Sequence, residues 1–291
     1  MDEREALRRL SATLPEAGDD AAVVDNLVVT TDMLHDSTDF PEGTTAYTAG
    51  WRAVGASLSD VAAMGGGAVA AVAAYGAPEF EWDTIASFVE GASDVCELVG
   101  GEYVGGDLDG HGEFTAATTA VGRTDDPVYR SGASAGEVVC VTGTLGRSGA
   151  ALRLFEDGEF DRANDLFQFE PRVRAGRTLA EHATAMMDSS DGLARSLHQL
   201  AEASDCGFEI EFPLPIVDVV DEVADSDEER LELGLFFGED FELVCTLPGE
   251  TLERVTEDLS VPLTPVGTVT ETGVTLDGEP LPDRGYTHSA E

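Results

Sequence analysis

Apolar residues along this chain fall into short blocks whose spacing shifts between the two-residue period of a strand and the three-to-four-residue period of a helix. The stretch AAVVDNLVVTTD at 21–32 reads as two β-branched strands, AAVVD and LVVTTD, joined at Asp25-Asn26. Helical spacing follows from about Thr44 to Ala63, GAVAAVAAYG reads as a buried strand, and a second helix is predicted near 81–99. EYVGGD is a short strand, and EFTAATTAVG at 113–122 alternates as a half-buried strand does. The passage TDDPVYRSGASAGE at 124–137 breaks the pattern and predicts a domain boundary, with residues 1–130 on one side and 131–291 on the other.

Beyond the break the mixture recurs. EVVCVTGTLGRSGAALRLF and ATAMMDSSDGLARSLHQLAEAS each read as strand, turn and helix, GFEIEF as a strand, and GEDFELVCTL as a turn and strand. VGTVTETGVTL suggests a terminal hairpin, and VVDEVADSDEERLEL at 219–233 a helix with a solvated acidic face. Strands and helices alternate in both halves, so the expected class is α/β.

Composition narrows the partners. With 291 residues, 42% of them hydrophobic, the chain can build a sizeable core. The longest apolar stretch, at 61–77, is too short and too glycine-rich to span a membrane, and MDEREALRRL lacks the layout of a secretory signal, so a cytoplasmic protein is expected. Cys96, Cys140, Cys206 and Cys245 are widely separated and read as small buried residues, not as a zinc site or disulfide framework. The formal charge is −42, which argues against nucleic acid and anionic membranes as partners and suits a halophilic protein in a salt-rich cytoplasm. All 16 basic residues are arginine. Without lysine, a GxxxxGK[ST] phosphate loop and Schiff-base chemistry are both excluded.

In so acidic a chain a lone carboxylate says little, but five turns place carboxylates where an apolar strand or glycine run gives way to the next element. They are GDD at 18–20, TTD at 30–32, SLSD at 57–60, GGD at 105–107 and MMDSSDG at 186–192. Ligand sites in α/β proteins gather at strand ends, and Asp beside Ser or Thr supplies the oxygen ligands that Mg²⁺ takes. Each turn taken singly also reads as a helix cap or tight turn. AAMGGGA at 62–68 and TGTLGRSG at 142–149 could approach a phosphate closely or could be packing turns. Arg130 is a candidate nucleotide contact or a surface ion pair.

Taken in order, GDDAAVV, VVTTDML, SLSDVAAMGG, VGGD, RSGASAGEVVCVTGTLG, MMDSSDGL and FGEDFEL resemble the thiamine-monophosphate kinase family over nearly the whole chain. That family is similar to aminoimidazole ribonucleotide synthetase. The resemblance implies a two-domain fold, with an N-terminal sheet that forms a barrel across a homodimer and a C-terminal α/β domain. It implies ATP-dependent phosphorylation of thiamine monophosphate, with several Mg²⁺ ions held by Asp20, Thr30, Thr31, Asp32, Asp60, Asp107, Asp188 and Asp191. Of these, Asp32, Asp107 and Asp191 would be central to catalysis. Gly106, Asp107, Arg130 and Ser190 would contact ATP, and Asp39 and Glu239 would face thiamine phosphate; the role of Asp240 stays open. Asp283 stands where the family pattern places a ring-stacking aromatic, though Gly285, Tyr286 and His288 fit, so Tyr286 becomes the candidate substitute.

Related enzymes fit less well. Aminoimidazole ribonucleotide synthetase uses an N-terminal lysine absent here, selenophosphate synthetase needs a reactive cysteine far ahead of Cys96, and the hydrogenase-maturation relative ends in a cysteine tail where this chain ends THSAE. A non-catalytic metal- or nucleotide-binding protein of the same fold is the rival from another class. The charge itself generates a prediction: screening of self-repulsion raises the melting temperature between 0.1 M and molar KCl. Scanning calorimetry across that series checks it, and an unchanged or falling value would contradict it.

Overall fold

The polar Asp25-Asn26 turn folds β1 (Ala22–Val24) back on β2 (Leu27–His35) as an antiparallel hairpin, with Asp25 at φ 56°. This is seen in a computed structural model of the chain that describes residues 9–10, 13–14 and 17–286. With β3 (Gly67–Ala77), β4 (Glu102–Gly110) and β5 (Thr115–Arg123), the hairpin builds a five-stranded sheet in the order β1-β2-β5-β3-β4. β3 and β4 are parallel, and the helix α2 (Trp82–Leu98) makes the crossover between them.

Alternation sorts the two faces of this sheet. Val28, Thr30, Leu34, Ala71, Ala73, Tyr75, Ala116, Thr118 and Ala120 are buried, whereas the intervening Thr31, Met33 and Val72 are exposed. The covered face packs on α1 (Ala46–Ala63), which is capped by Thr45 accepting from the Thr48 amide at 3.1 Å. Fourteen of the 18 residues of α1 are buried, because the C-terminal half of the chain covers its other side.

That half forms a second sheet from β6 (Val138–Thr142), β7 (Ala185–Asp188), β8 (Gly207–Ile210), β9 (Leu243–Leu247), β10 (Leu263–Thr270), β11 (Val274–Leu276) and β12 (Glu279–Pro280), in the order β12-β11-β8-β10-β6-β9-β7. Every residue of β7 and β9 is buried. Helices α3 (Arg147–Glu156), α4 (Phe160–Phe167), α5 (Val173–Leu179) and α6 (Leu193–Ser204) accompany it. The expected terminal hairpin does not form: β8 lies between β10 and β11, antiparallel to the first and parallel to the second. Sequence adjacency suggested a pairing, and a strand inserted from far upstream, β8, overrides it. The acidic 219–233 segment is also broken, into Val219–Val223 and Asp227–Leu231 followed by a π-helical turn at Glu232–Phe236, with Val220 and Leu233 buried. The architecture is mixed α/β with two sheets, the first of them open.

α1 and α2 cross in close contact at two glycines. A Cβ added at Gly50 would lie 2.0 Å from the Phe88 carbonyl oxygen, and one at Gly91 would lie 2.0 Å from that of Tyr47. Backbone cannot yield there without separating the helices. Gly91→Ala is therefore expected to lower stability by about 1–3 kcal/mol, measured by urea unfolding in molar KCl.

Candidate active site

Three carboxylates from separate parts of the chain meet where the two halves touch. Asp20 precedes β1, Asp60 lies in the last turn of α1 and Asp188 ends β7; one oxygen from each falls within 4.8 Å of the others. Burial, followed by the charges of Asp32, Asp188 and Asp20, holds the Asp60 carboxyl well above the usual range. Burial and Asp20 push Asp188 up to about 6. Such a cluster is costly as it stands, and its oxygen-only donor set is that of a site for a hard divalent cation.

Nearby groups orient each member. Thr30 Oγ1 donates to Asp60 Oδ2 at 2.5 Å, and Ser59 Oγ to Asp188 Oδ2 at 2.6 Å. Ser57 Oγ donates to Asp32 Oδ2 at 2.7 Å and meets Thr118 Oγ1 at 2.8 Å. Arg130 forks onto both oxygens of Asp20 at 3.1 Å, and its amide donates to Asp19 Oδ1 at 2.7 Å. Burial opposes the Arg130 charge, but Asp20, Asp188 and Asp60 outweigh it and hold the guanidinium protonated.

The turn after β7 extends this platform. The Ser190 amide donates to Asp188 Oδ1 at 3.1 Å, and the Ser190 carbonyl accepts from the Glu239 amide at 2.7 Å. The Asp191 carbonyl accepts from the Tyr286 amide at 3.1 Å, and the Tyr286 hydroxyl reaches Asp39 Oδ1 at 3.3 Å. Asp39 is itself fixed by the His35 amide and the Thr38 hydroxyl, both at 2.7 Å. Contacts thus run from Arg130 through the carboxylates and Ser190 to Glu239, and through Asp191 to Tyr286 and Asp39. Asp283 pairs with Arg195 at 2.7 Å, so a salt bridge stands where an aromatic was expected; His288 lies outside the described residues.

Three predicted residues are not brought into this group within one chain. Thr31 lies on the opposite sheet face from Thr30 and Asp32, its hydroxyl donating to the Thr118 carbonyl at 2.8 Å, as strand alternation demands. Gly106 stands in register with Ala73, Thr118 and Asp32, which puts it three strand spacings, ~14 Å, from Asp32. Its neighbour Asp107 is exposed and accepts from the Leu108 amide at 2.9 Å. Both line a groove of about 600 Å³ between β4 and α2, with Tyr103, Ile85, Val89 and Ser93.

The glycine-rich TGTLGRSG turn is already occupied by a carboxyl group of the protein's own. Asp240 Oδ2 accepts from the Gly146 amide at 2.6 Å and Oδ1 from the Ser148 amide at 3.0 Å, at the N-terminus of α3. AAMGGGA is a packing turn, where a Cβ at Gly65 would lie 2.6 Å from that of Ala180. The sequence reading missed Ser57, Ser59 and Arg52. The two serines sit in the quoted SLSD stretch, and Arg52 is one of 16 cations, with no motif around it to mark it.

The family model for AIR synthase related protein, N-terminal domain, matches residues 18–124, and that for the C-terminal domain matches 134–278. Thiamine-monophosphate kinase of Halobacterium salinarum is 60% identical over 291 residues, covering 99% of this chain and 100% of the relative. The chain belongs to the thiamine-monophosphate kinase family. The enzyme of that name from Methanospirillum hungatei is 41% identical, with 99% of both chains covered. Among solved structures, AaThiL complexed with AMPPCP and TMP superposes with a TM-score of 0.89 at 29% identity, covering 99% of this chain and 97% of that one. The thiamine-monophosphate kinase of Stenotrophomonas maltophilia gives 0.82 at 30%, covering 95% and 96%.

Burial, partly offset by the Ser148 and Gly146 amides, raises Asp240 to about 7. Its unfolded value is near 4, so the unfolded chain releases this proton first, and Asp240 erodes stability as pH rises from about 4 to 7. Asp240→Asn keeps one acceptor, costing about 1 kcal/mol at pH 4.5. It should shrink the loss of stability between pH 4.5 and 7.5, by an amount on the order of 4 kcal/mol if the whole shift is relieved. Urea unfolding of both proteins at the two pH values measures the difference.

Proposed function

We propose that this chain transfers the γ-phosphoryl group of ATP to the phosphate of thiamine monophosphate, giving thiamine diphosphate and ADP, as a cytoplasmic, salt-adapted enzyme. One observation carries the reading: Asp20, Asp60 and Asp188 converge, with Arg130 bound to Asp20, while Ser190 connects Asp188 to Glu239 and Tyr286 connects the Asp191 carbonyl to Asp39. This arrangement suits two anionic substrates meeting end to end. The P–O bond to the β-phosphate breaks as the acceptor phosphate oxygen bonds to the transferred phosphorus. The acceptor is already largely ionised near neutral pH, so alignment and charge neutralisation matter more than a strong base.

Asp20, Asp32, Asp60, Asp188 and Asp191 would hold Mg²⁺, with Thr30 and Ser59 orienting their carboxylates. Mg²⁺, when bound, supplies the positive charge and Lewis acidity that draw the phosphate oxygens together. Arg130 and Ser190 would bind ATP phosphates, while Asp39, Glu239 and Tyr286 would hold the acceptor. The same reading divides the chain at 130/131.

Gly106 and Asp107 enter through a second copy. β1 and β4 are the two edges of the first sheet, and its open face exposes Met33 and Val72. Closing two such sheets into a barrel sets β4 of one copy beside β1 and β2 of the other, which brings Asp107 of the second copy toward Asp20 and Asp32. A homodimer is therefore part of the proposal.

The deciding assay follows ADP and thiamine diphosphate from ATP and thiamine monophosphate with Mg²⁺ in molar KCl, with EDTA and free-thiamine controls. Metal-dependent product from the monophosphate alone is expected. ATP binding without turnover would favour the non-catalytic reading. Asp32→Asn should lower kcat by roughly 100-fold or more with the melting temperature little changed, and near-wild-type turnover would remove Asp32 from the machinery.

A further inference from the structure

Arg52 is the largest fully buried side chain of the described residues, with 1% of its surface exposed, and it lies outside the carboxylate platform. Burial lowers the affinity of its guanidinium for a proton, and Glu239 with Asp240 offsets this. A buried cation is tolerated only where partners are already placed, and those partners all come from the other half of the chain. Nη2 donates to Glu239 Oε2 at 2.8 Å, and Nη1 to the Phe167 carbonyl at 2.6 Å and to Ser148 Oγ at 3.3 Å. The guanidinium plane stacks on the Phe167 ring, 3.5 Å from its centroid. Nε is buried with no hydrogen-bond partner.

These contacts converge on a residue in an unfavourable backbone state. Glu239 has φ 58°, between Gly238 at 84° and a buried Asp240 that is tied to α3. A non-glycine residue in the left-handed region persists only where its surroundings hold it. Here Ser148 Oγ donates to the Glu239 carbonyl at 2.6 Å, Arg52 holds its carboxylate, and the Ser190 carbonyl takes its amide. Backbone and side chain of Glu239 are thus fixed from three directions.

We infer that Arg52 is a positioning residue that holds Glu239 in place for the phosphate acceptor, and so governs acceptor affinity without contacting ATP. This rests on the kinase reading above. Arg52 reaches Glu239 across the junction between the halves, whereas Arg130 is held by Asp19, Asp20 and, at its carbonyl, the Ser204 hydroxyl, none of which Arg52 touches. Loss of Arg52 should therefore loosen one substrate site and spare the other.

The experiment compares steady-state kinetics of wild type, Arg52→Met, Arg52→Lys, Glu239→Gln and the Arg52→Met/Glu239→Gln double variant, with circular dichroism melts for each. The expected result is a KM for thiamine monophosphate raised about tenfold or more in Arg52→Met, with KM for ATP within about twofold of wild type. Arg52→Lys should recover part of the loss, because it keeps the charge but not the fork. In the double variant the effect should be no larger than in Glu239→Gln alone, as it must be if Arg52 acts through that carboxylate. If Arg52→Met does not fold, Ser148→Ala removes the other tether on Glu239 and should give the same selective rise. Additive losses in the double variant, or equal changes in both KM values, would overturn the inference. An inactive but folded wild type would instead overturn the kinase reading.

Discussion

A single helix confined between two sheets sets the terms for the rest of the molecule. Because the second half of the chain closes over α1, that helix has almost no solvent-facing side on which to place polar groups. Its buried hydrophilic residues must find partners within the protein; Arg52 finds them in Ser148, Phe167 and Glu239, and others reach the two sheets. Ser57 turns to Asp32 and Thr118 in the first, Ser59 to Asp188 in the second, and Asp60 stands between them. The carboxylate platform is thus a product of how the halves pack. Neither half contains it alone, since Asp20, Thr30 and Asp60 come from one and Asp188 from the other.

How legible this was in the sequence depended on the range of the interaction that decides it. The β1–β2 hairpin and α1 were readable because a turn, a cap and a period settle them locally. The terminal hairpin was misread because the competing strand, β8, is distant in sequence. The grouping of Asp20, Asp60 and Asp188 could be suspected from the recurring Asp-bearing motifs, although only Asp188 ends a strand, Asp60 lying in α1 and GGD inside β4; TTD, inside β2, shows a further limit of such patterns. Its three residues look equivalent in a row, yet the pleat sends Thr31 to the opposite face. Asp107 shows a different limit, since nothing in GGD says that its strand is the far edge of the sheet.

Charge economy runs through these choices. With 58 acidic residues and 16 arginines, most cations in the described residues are used where they organise something. Arg130 grips Asp20, Arg172 grips Glu242, and Arg147 donates to the carbonyls of Leu166 and Gln168 at the C-terminal end of α4. Each is a planar fork meeting two acceptors, geometry that a lysine could not reproduce. An acidic exterior therefore coexists with interior pairings in which every buried cation has a structural address.

The turn before α3 extends this economy to anions. The Gly146 and Ser148 amides at the start of α3 could serve an anion, but Asp240 occupies them from within the same chain. A covalently tethered carboxyl group has a high effective concentration, which puts a diffusing anion at a disadvantage there. The protein thereby has one fewer place to trap its own substrates unproductively. The glycine signature in the sequence marks a lock between two loops, and an anion-binding motif can record where a ligand has been made permanent.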